Sequence, residues 1–534
     1  MSTPTGHDLD VLIVGGGPAG TMLALELAAQ GTNFRIIDKA PLRSDRSRAL
    51  LIQPRSFEMM NRHGHVRKLY EKGNLTGGPM AWMNNKPVVD VDVTNVANHR
   101  DSEFGLPCLL SQADTEAYLD GCLKEKYGRE IDRGIEATSI VQDDDGVKVT
   151  LRNVYHGIEE NIRAKYVIGA DGAHSVVRKS SSHIQFEGAQ YPQEFIMCDA
   201  TMEGFTLPIN RYHLVLGAGL LIMFPMAEGW VRIMASRTEP SNVEPTLDEI
   251  KAAIQDRIPG GGEITNATWV TNFRLHHRIV DSYRDARLFL IGDAAHIHSP
   301  VGGQGLNTSM QDAVNLGWKL ASVIRGERPD SFLNTVDVER RPIGKELIAK
   351  TDKIFNLLSM TSPLSVYLRN LAIPWVAPWI ATKEKLETIY SFISQFGVNY
   401  RESPIVHSDT SFTGPIMPGD RAPDGDVDVG GEANRLYKIL APESYNFVLF
   451  SGSLRTGTEL EEMEHTAAKF EANNVEKARI HMIVQERGGK HVYSHRLHGS
   501  YGFSNPGFAY IRPDGYVAAI GTLGHFDQFL AWLN

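Results

Sequence analysis

The 534-residue sequence predicts a doubly wound α/β fold, and three stretches predict it. Residues 10–14 are a short apolar run that breaks into Gly15-Gly16-Gly17-Pro18-Ala19-Gly20 and resumes as a helix turning Leu23, Leu27 and Ala28 inward. Residues 166–168 are a second apolar run, ending at Gly169-Ala170-Asp171-Gly172. A third, residues 288–291, stops at Gly292-Asp293 before a glycine-rich turn and a long helix. Each has the length and composition of a buried strand, and each ends in glycine or aspartate where a parallel sheet meets a ligand crevice.

The elements follow in order. The strand at 33–37 ends at Asp38, about 20 residues beyond the glycine turn, where an acid can accept hydrogen bonds from an adenosine ribose. Arg43, Arg46 and Arg48 form an arm whose guanidinium forks suit phosphate oxygens, with a solvated loop as the plain alternative. A helical pattern covers 54–61, a strand 87–93 and a helix 112–124 from Gln112. A hairpin of 138–141 and 146–151 turns on three aspartates and Gly146. After Asp171, Arg178 lies one turn on, although an Asp-Gly pair alone is usually only a turn.

From 195 to 235 the pattern becomes mainly β, with candidate strands at 211–216, 219–224 and 230–235, so a sheet domain over 181–280 is inserted between 1–180 and 281–400. The return segment holds Gly302, Gly303 and Gly305, which admit a flat ligand closely, and Asn307, Thr308 or Ser309 is expected to cap a helix over 309–324. Its N-terminal N–H groups suit an anion or an electron-rich ring edge. Charged and proline-interrupted helices reach about 397, and a linker of Pro, Gly, Ser and Asp at 404–423 opens a small α/β domain over 404–534.

Composition narrows the function. A net charge of −10 argues against a nucleic-acid binder. Cys108, Cys122 and Cys198 are widely spaced and odd in number, so neither a disulfide framework nor a zinc knuckle is expected. The first ten residues lack the charged and apolar regions of a signal peptide, which predicts a reducing, cytoplasmic setting. Residues 371–381, LAIPWVAPWIA, are too short and proline-broken for a membrane span, and burial in a core or a subunit interface, as in a homodimer, is expected.

Together GGGPAG, DGAHSVVR at 171–178 and GDAAHIHSPVGGQGLNTSMQDAVNLGWKLA from Gly292 make the chain resemble the class A flavoprotein monooxygenases of the phenol hydroxylase-like branch. The resemblance is strong from 10 to 341. It extends through PGDRAPDGDV at 418–427 and IRPDGYVA at 511–518, which resemble that branch's C-terminal thioredoxin-like domain, here without Cys-x-x-Cys. It implies a Rossmann-type FAD-binding domain, an inserted mainly-β substrate domain and a thioredoxin-like α/β domain. It implies FAD, NADPH or NADH as reductant, O2, and hydroxylation of an activated phenolic or polyketide-like ring through a flavin C4a-hydroperoxide, with epoxidation or Baeyer-Villiger insertion as the alternative. Gly15, Gly17 and Gly20 would approach the FAD pyrophosphate, Asp38 the ribose, and Arg48 and Gln112 the outer FAD. Asp171 would support FAD and nicotinamide use and Asp293 would bind the ribityl-pyrophosphate region. Pro300, Gly303, Gly305, Leu306 and Asn307 would border the isoalloxazine.

The chain departs from the branch's phenol-activating pattern. Ala49-Leu50 stands where an Asp follows the arginine arm, and Arg232-Ile233-Met234 where an Arg-x-Tyr pair lies in the sheet. Arg232, sharing a strand face with Met234, is the first candidate to hold substrate, and His213, near neutral pH a proton acceptor, the second. Competing readings are a metal oxygenase built on His296 and His298, or His276 and His277, with Asp293, and a non-enzymatic flavin-binding redox sensor. The histidines lie inside or beside the flavin motifs, which a metal site would leave unexplained.

Overall fold

The computed structural model describes residues 7–43, 49–97, 101–217, 219–237, 241, 243–255, 257–407, 412–452, 458–473, 478–485 and 491–533. Strands β1 (Leu9–Val14), β2 (Phe34–Asp38), β3 (Glu159–Gly169) and β4 (Leu288–Leu290) run parallel, in the order β4-β3-β1-β2. They belong to an eight-stranded sheet to which the expected hairpin, Ile135–Gln142 and Val147–Asn153, adds antiparallel through β3. Both faces of β1 are buried, as parallel strands covered on two sides require. Helices α1 (Pro18–Ala29), α2 (Gln112–Tyr127) and α3 (Gly305–Ile324) bury Leu23, Leu27, Leu119, Leu123, Met310 and Leu316 on the Val11 and Ile13 side. On the other side Leu12 and Val14 pack with Val149, Val167, Leu288 and Leu290.

A second eight-stranded sheet has the order His296–Ile297, Glu263–Val280, Phe186–Glu203, Trp230–Ser236, Gly219–Pro225, Tyr212–Gly217, Pro79–Met83 and Lys86–Asp90. The span 181–280 thus supplies most of this sheet, while one hairpin comes from 79–90 and an edge strand from 296–297. The strand at 212–217 accepts Pro79–Met83 in parallel, which binds the insert to the first domain by backbone hydrogen bonds. One face carries Ile196, Val215, Met223, Val231 and Ile233 against the helix Leu247–Ile254. The other carries Phe195, Met197, Leu216, Ile222 and Met234, and meets Val301 and Phe355 of the first domain.

The C-terminal region forms a seven-stranded sheet. Asn446–Phe450 and Arg479–Val484 pair in parallel around the helix Glu459–Asn473, and Gly507–Ile511 and Val517–Thr522 follow antiparallel before the helix Phe526–Leu533. Phe447, Phe470, Phe508, Phe526 and Phe529 fill one side.

Docking of this sheet onto the first domain runs through α4 (Asn334–Leu358). Glu339 Oε1 accepts from Arg512 Nη1 (2.7 Å) and Ser403 Oγ (2.6 Å), and Oε2 accepts from Arg512 Nη2 (2.9 Å), Lys319 Nζ (2.6 Å) and Asn315 Nδ2 (2.6 Å). Arg512 also donates to Asp514, whose Oδ2 accepts from Trp318 Nε1. Burial by itself would raise the Glu339 pKa, but Arg512 and Lys319 hold it well below the carboxylate range. Burial pulls Lys319 down to about 8 against the opposing pull of Glu339. The helix α5 (Pro363–Ile380) follows α4 and lies over the strand Lys86–Asp90. Among the described residues no helix is long and apolar enough to cross a membrane.

Removing one member of such a cluster strands its partners without solvent. Arg512→Met is expected to lower stability by about 3–5 kcal/mol. Urea denaturation of parent and variant, with limited proteolysis of the 404–423 linker, checks it: faster cleavage should accompany the lower midpoint.

Candidate functional site

The carboxyl ends of β1, β2, β3 and β4 open on one edge, and the four motif turns meet there. Backbone bonds from Gly15 N to Ile37 O, Ala170 N to Val14 O and Ile291 N to Gly169 O stitch the strand ends together. Gly15 has φ +110°, and a Cβ on it would overlap the Ala170 carbonyl; a Cβ on Gly20 would overlap the Gly15 carbonyl. These two glycines are therefore required by the chain's own packing. Gly17 differs. Its φ is −78°, and a Cβ there would meet nothing within 4 Å, so the protein itself leaves that space open. Gly17 is also the N-cap of α1 and gives it no side-chain bond, while Pro18 follows. Asp38 Oδ2 accepts from Gly16 N and Oδ1 from Ala40 N, both at 2.7 Å, which fixes the carboxylate beside the turn.

At the Asp171 turn, Oδ2 accepts from Val176 N (2.6 Å) while the buried Oδ1 finds no partner among the described residues. Burial raises its pKa. Arg178, stacked 3.9 Å over Phe186, donates to Ala173 O (2.7 Å) and Ala294 O (2.8 Å), so one guanidinium ties the Asp171 turn to the Gly292–Ala294 turn. In that second turn Asp293 is exposed to the crevice edge, whereas Gly292 N donates to Asp312 Oδ2 (3.0 Å). The same oxygen meets His296 Nε2 (2.8 Å), and Asp312 Oδ1 accepts from Arg340 Nε (2.7 Å). Burial would raise the Asp312 pKa, yet Arg340 and His296 overcome it and hold the carboxylate ionised.

The turn after Pro300 passes through Gly302 and Gly303 with φ +78° and +59°, and α3 starts at Gly305, four residues earlier than the sequence pattern suggests. None of the expected caps is one. Gln304 is the N-cap and makes no side-chain cap bond. Asn307 instead accepts from Gln53 N and Ser56 Oγ and donates to Leu51 O and Gly303 O. Thr308 Oγ1 accepts from Gln395 Nε2, and Ser309 Oγ donates to Gly305 O. The first turn of α3, which contains Gly305 and Leu306, is thus left without a side-chain cap, and Pro300 and Gly303 precede it. His298 Nδ1 lies 2.6 Å from Ser299 O, and its buried Nε2, without a partner among the described residues, is turned toward Gly305. Burial pushes His298 down to about 4, so it is neutral at pH 7.

Two expectations on the first domain stand differently. Arg48 and Arg46 lie outside the described residues, and Arg43 is 3.7 Å from Asp120. Gln112 opens α2, behind the Ser111 cap, and donates to Glu116 Oε1.

On the second sheet, Arg232 and Met234 share the face that meets Val301, as the alternation predicts. Arg232 is buried, forks onto Asp199 (2.7 and 2.8 Å), lies 5.1 Å over Trp269, and keeps Nη1 without a partner among the described residues. His213 requires correction. Its strand neighbours Val215 and Trp82 belong to the opposite face, its Nδ1 accepts from Trp82 Nε1 (3.1 Å), and its Nε2 meets Pro208 O (3.0 Å). Burial pushes it down to about 4, so it is a neutral core histidine, one residue out of phase with the crevice.

Sequence reading missed a cluster on the crevice face. The Tyr191 hydroxyl donates to Asp352, and His277 Nδ1 lies 3.6 Å from the same carboxylate. The Tyr191 ring packs edge-on to His277 at 4.8 Å, and Ser299 adjoins its hydroxyl. Burial and Asp352 keep the phenol protonated well above its ordinary range. Nothing in the spacing of 191, 277, 299 and 352 signals this, because the long strands, a loop and α4 assemble it. No group of three His, Cys, Asp or Glu among the described residues could hold a metal ion.

The open space at Gly17, the N-termini of α1 and α3 without side-chain caps, the Asp171 Oδ1 without a partner among the described residues and the fixed Asp38 fit a dinucleotide along this edge. Residues 8–351 match the family model described as FAD binding domain, and the chain belongs to that family. Pentachlorophenol 4-monooxygenase of Sphingobium chlorophenolicum is 30% identical over 427 residues, 79% of this chain and 76% of that protein. An uncharacterized aromatic compound monooxygenase of Bacillus subtilis, YhjG, is 28% identical over 520 residues, 95% of this chain and 93% of its own. The solved structure of OxyS, the anhydrotetracycline hydroxylase of Streptomyces rimosus, superposes with a TM-score of 0.72 at 26% identity, covering 96% of each chain.

Gly17→Ala separates cofactor from fold. The added methyl is accommodated by the protein but enters the open space, so FAD affinity is expected to fall at least about 10-fold, near 1.4 kcal/mol. Titration of the apoprotein with FAD, beside its unchanged thermal melt, checks this.

Proposed function

We propose that this member of the FAD-binding family is an NAD(P)H-dependent monooxygenase that hydroxylates an electron-rich aromatic ring, phenolic or polyketide-like, between the second sheet and the flavin. One observation carries the location: the apolar sheet face with Phe195, Met197, Ile222 and Met234 meets Val301, inside the turn that would border the isoalloxazine. The aromatic and tetracyclic substrates in the names of similar proteins support the substrate class. FAD, when bound, supplies the reduction by nicotinamide and the activation of O2 for transfer of one oxygen atom.

The chain's residues supply the rest. Gly17 would let the diphosphate approach the α1 N-terminus while Gly15 and Gly20 hold the turn, Asp38 would meet the ribose, and Asp171 and Asp293 would border the middle of the cofactor. The uncapped N-terminal turn of α3 would offer N–H groups and a partial positive charge to the edge of the bound ring. The apolar wall excludes water from the reacting centre.

Arg232 presents less than a free cation. Its charge is matched by Asp199, so the pair is neutral and the remaining Nη1 offers a hydrogen bond. Such a donor favours an uncharged carbonyl or phenolic oxygen over a carboxylate, which would have to be buried beside Asp199. Tyr191, Asp352 and His277 give the ring-hydroxyl proton a way out: Ser299 and the Tyr191 phenol at the crevice, the Asp352 carboxylate behind them, and the half-buried imidazole toward solvent. Taking up that proton raises the electron density of the ring at the moment of attack. The C-terminal βαβ unit followed by an antiparallel hairpin and helix supports reading this domain as thioredoxin-like, with a structural role.

Arg232→Met is expected to cut substrate-coupled hydroxylation five- to 150-fold, about 1–3 kcal/mol, and to raise peroxide release. The double variant Asp199→Asn/Arg232→Met removes the stranded carboxylate and shows whether the loss persists once charge is balanced. Tyr191→Phe should lower the hydroxylation rate about 100-fold at pH 7. Across a phenolic panel the deficit should shrink as the substrate's own pKa falls, because a more acidic hydroxyl gives up its proton with less help from the relay. A pH–rate profile on a phenolic panel measures this, and a flat deficit would deny the relay.

A further inference from the structure

The helix α5 (Pro363–Ile380) has two faces of opposite standing. Its inner face is fixed: Arg369 is buried and donates to Leu358 O (3.0 Å) and Gly217 O (3.1 Å), while Ile373 packs onto the second-sheet core. These bonds hold α5 against the last turn of α4 and the tip of the strand Tyr212–Gly217.

The outer face is apolar and open. Leu364, Tyr367, Leu368, Leu371, Trp375 and Trp379 recur at helical spacing and are exposed, Trp375 to 83% and Leu364 to 68%. Ile354 and Leu357 of α4 are also exposed near the α4–α5 junction that Arg369 secures. Arg369 is the only charged residue from 363 to 382, and it is turned inward. A solvent-facing helix normally carries its charges on that side, so this stripe is the reverse of a surface helix. With two tryptophans and a tyrosine it presents on the order of 800 Å² of mostly apolar surface, about what each side of a standard stable interface buries.

We propose that this stripe is the homodimer interface, closed by α5 of a second copy lying antiparallel across a twofold axis. A stripe without charge is complementary to itself, as an isologous contact requires. Its rim fits the same partner. The next helix, Lys383–Ser394, begins with Lys383, Glu384 and Lys385 and continues to Glu387, so both signs border the stripe and copies related by a twofold can set lysine against glutamate. An anionic lipid surface would instead meet those glutamates and a chain of net charge −10. Because Arg369 and Ile373 tie α5 to the sheet forming the substrate wall, the dimer contact buttresses the outer side of that wall in both copies.

The test uses the full-length FAD-loaded protein. Sedimentation velocity from about 1 to about 50 μM should give twice the chain mass at the upper end, with hydrogen exchange of residues 363–380 slowing as concentration rises. Trp375→Glu and, separately, Leu368→Glu should weaken association at least about 100-fold while keeping FAD content and melting temperature. A parent that stays monomeric at about 50 μM overturns the proposal. So does a dimer whose exchange at 363–380 is independent of concentration, or one that both variants leave intact. Monomeric parent protein that floats with phosphatidylcholine vesicles would assign the stripe to lipid and equally overturn it.

Discussion

Two adjacent residues of α4, Glu339 and Arg340, hold the molecule's parts in register. Glu339 faces α3 and the C-terminal sheet through Lys319 and Arg512, and Arg340 faces the crevice through Asp312, Thr308 O and Tyr400. All of these charges are buried, so none has water to fall back on, and each must keep its partner in place. Asp312 is what joins this cluster to the cofactor crevice. It accepts the Gly292 N–H and meets His296, so the turn that presents Asp293 is held by a carboxylate whose own position depends on α4. The C-terminal domain, far from the crevice in sequence, is coupled to the same helix one residue away.

Buried ion pairs of this kind add little net stability against an apolar alternative, but they tolerate few arrangements. That selectivity suits an edge where four strands and the turns that follow them must end at one place. Arg178 repeats the device on a smaller scale, by donating to a carbonyl of each aspartate turn. Asn307 does it for the segment 51–53, clamping Leu51 and Gln53 to the Gly303 turn. Residues that motif spacing assigns to the cofactor thus divide into those on the open edge, such as Gly17 and Asp293, and those bonded into its walls, such as Asn307.

The nucleotide half was legible because its signals are local. An apolar run, a glycine turn and a helix occupy one continuous stretch, and the strand ends at Val14, Asp38, Gly169 and Leu290 fall where that pattern places them. The second sheet was legible only in its short strands. Phe186–Glu203 and Glu263–Val280 are each 18 residues long, but register shifts near Gln190, Met197 and Thr201 interrupt their alternation, and the hairpin at 79–90 joins from a distant part of the chain. His213 shows the cost of a period of two. A residue on the right strand with the wrong parity lands in the opposite core, and only the pairing of Val215 with Trp82 reveals which parity is inward. The Tyr191, Asp352 and His277 cluster had no sequence signature, since its members come from separate elements.

The electrostatics of the crevice follow from where charge is matched and where it is not. Along the nucleotide edge the donors are backbone N–H groups and helix ends, a set that would suit a diphosphate without mobile counter-charges. On the face proposed for the substrate, Arg232 is matched by Asp199, His298 is held neutral by burial, and the wall is aliphatic and aromatic. A substrate oxygen entering there meets hydrogen-bond donors in place of a net cation. A ring whose hydroxyl loses its proton during the reaction therefore needs a path for that proton, because the site offers no fixed positive charge to hold a phenolate beforehand. The one set of titratable groups on this face among the described residues that runs from buried phenol to half-exposed imidazole is Tyr191, Asp352 and His277, so the lack of an unmatched cation at Arg232 and the relay proposed for this cluster belong to the same argument.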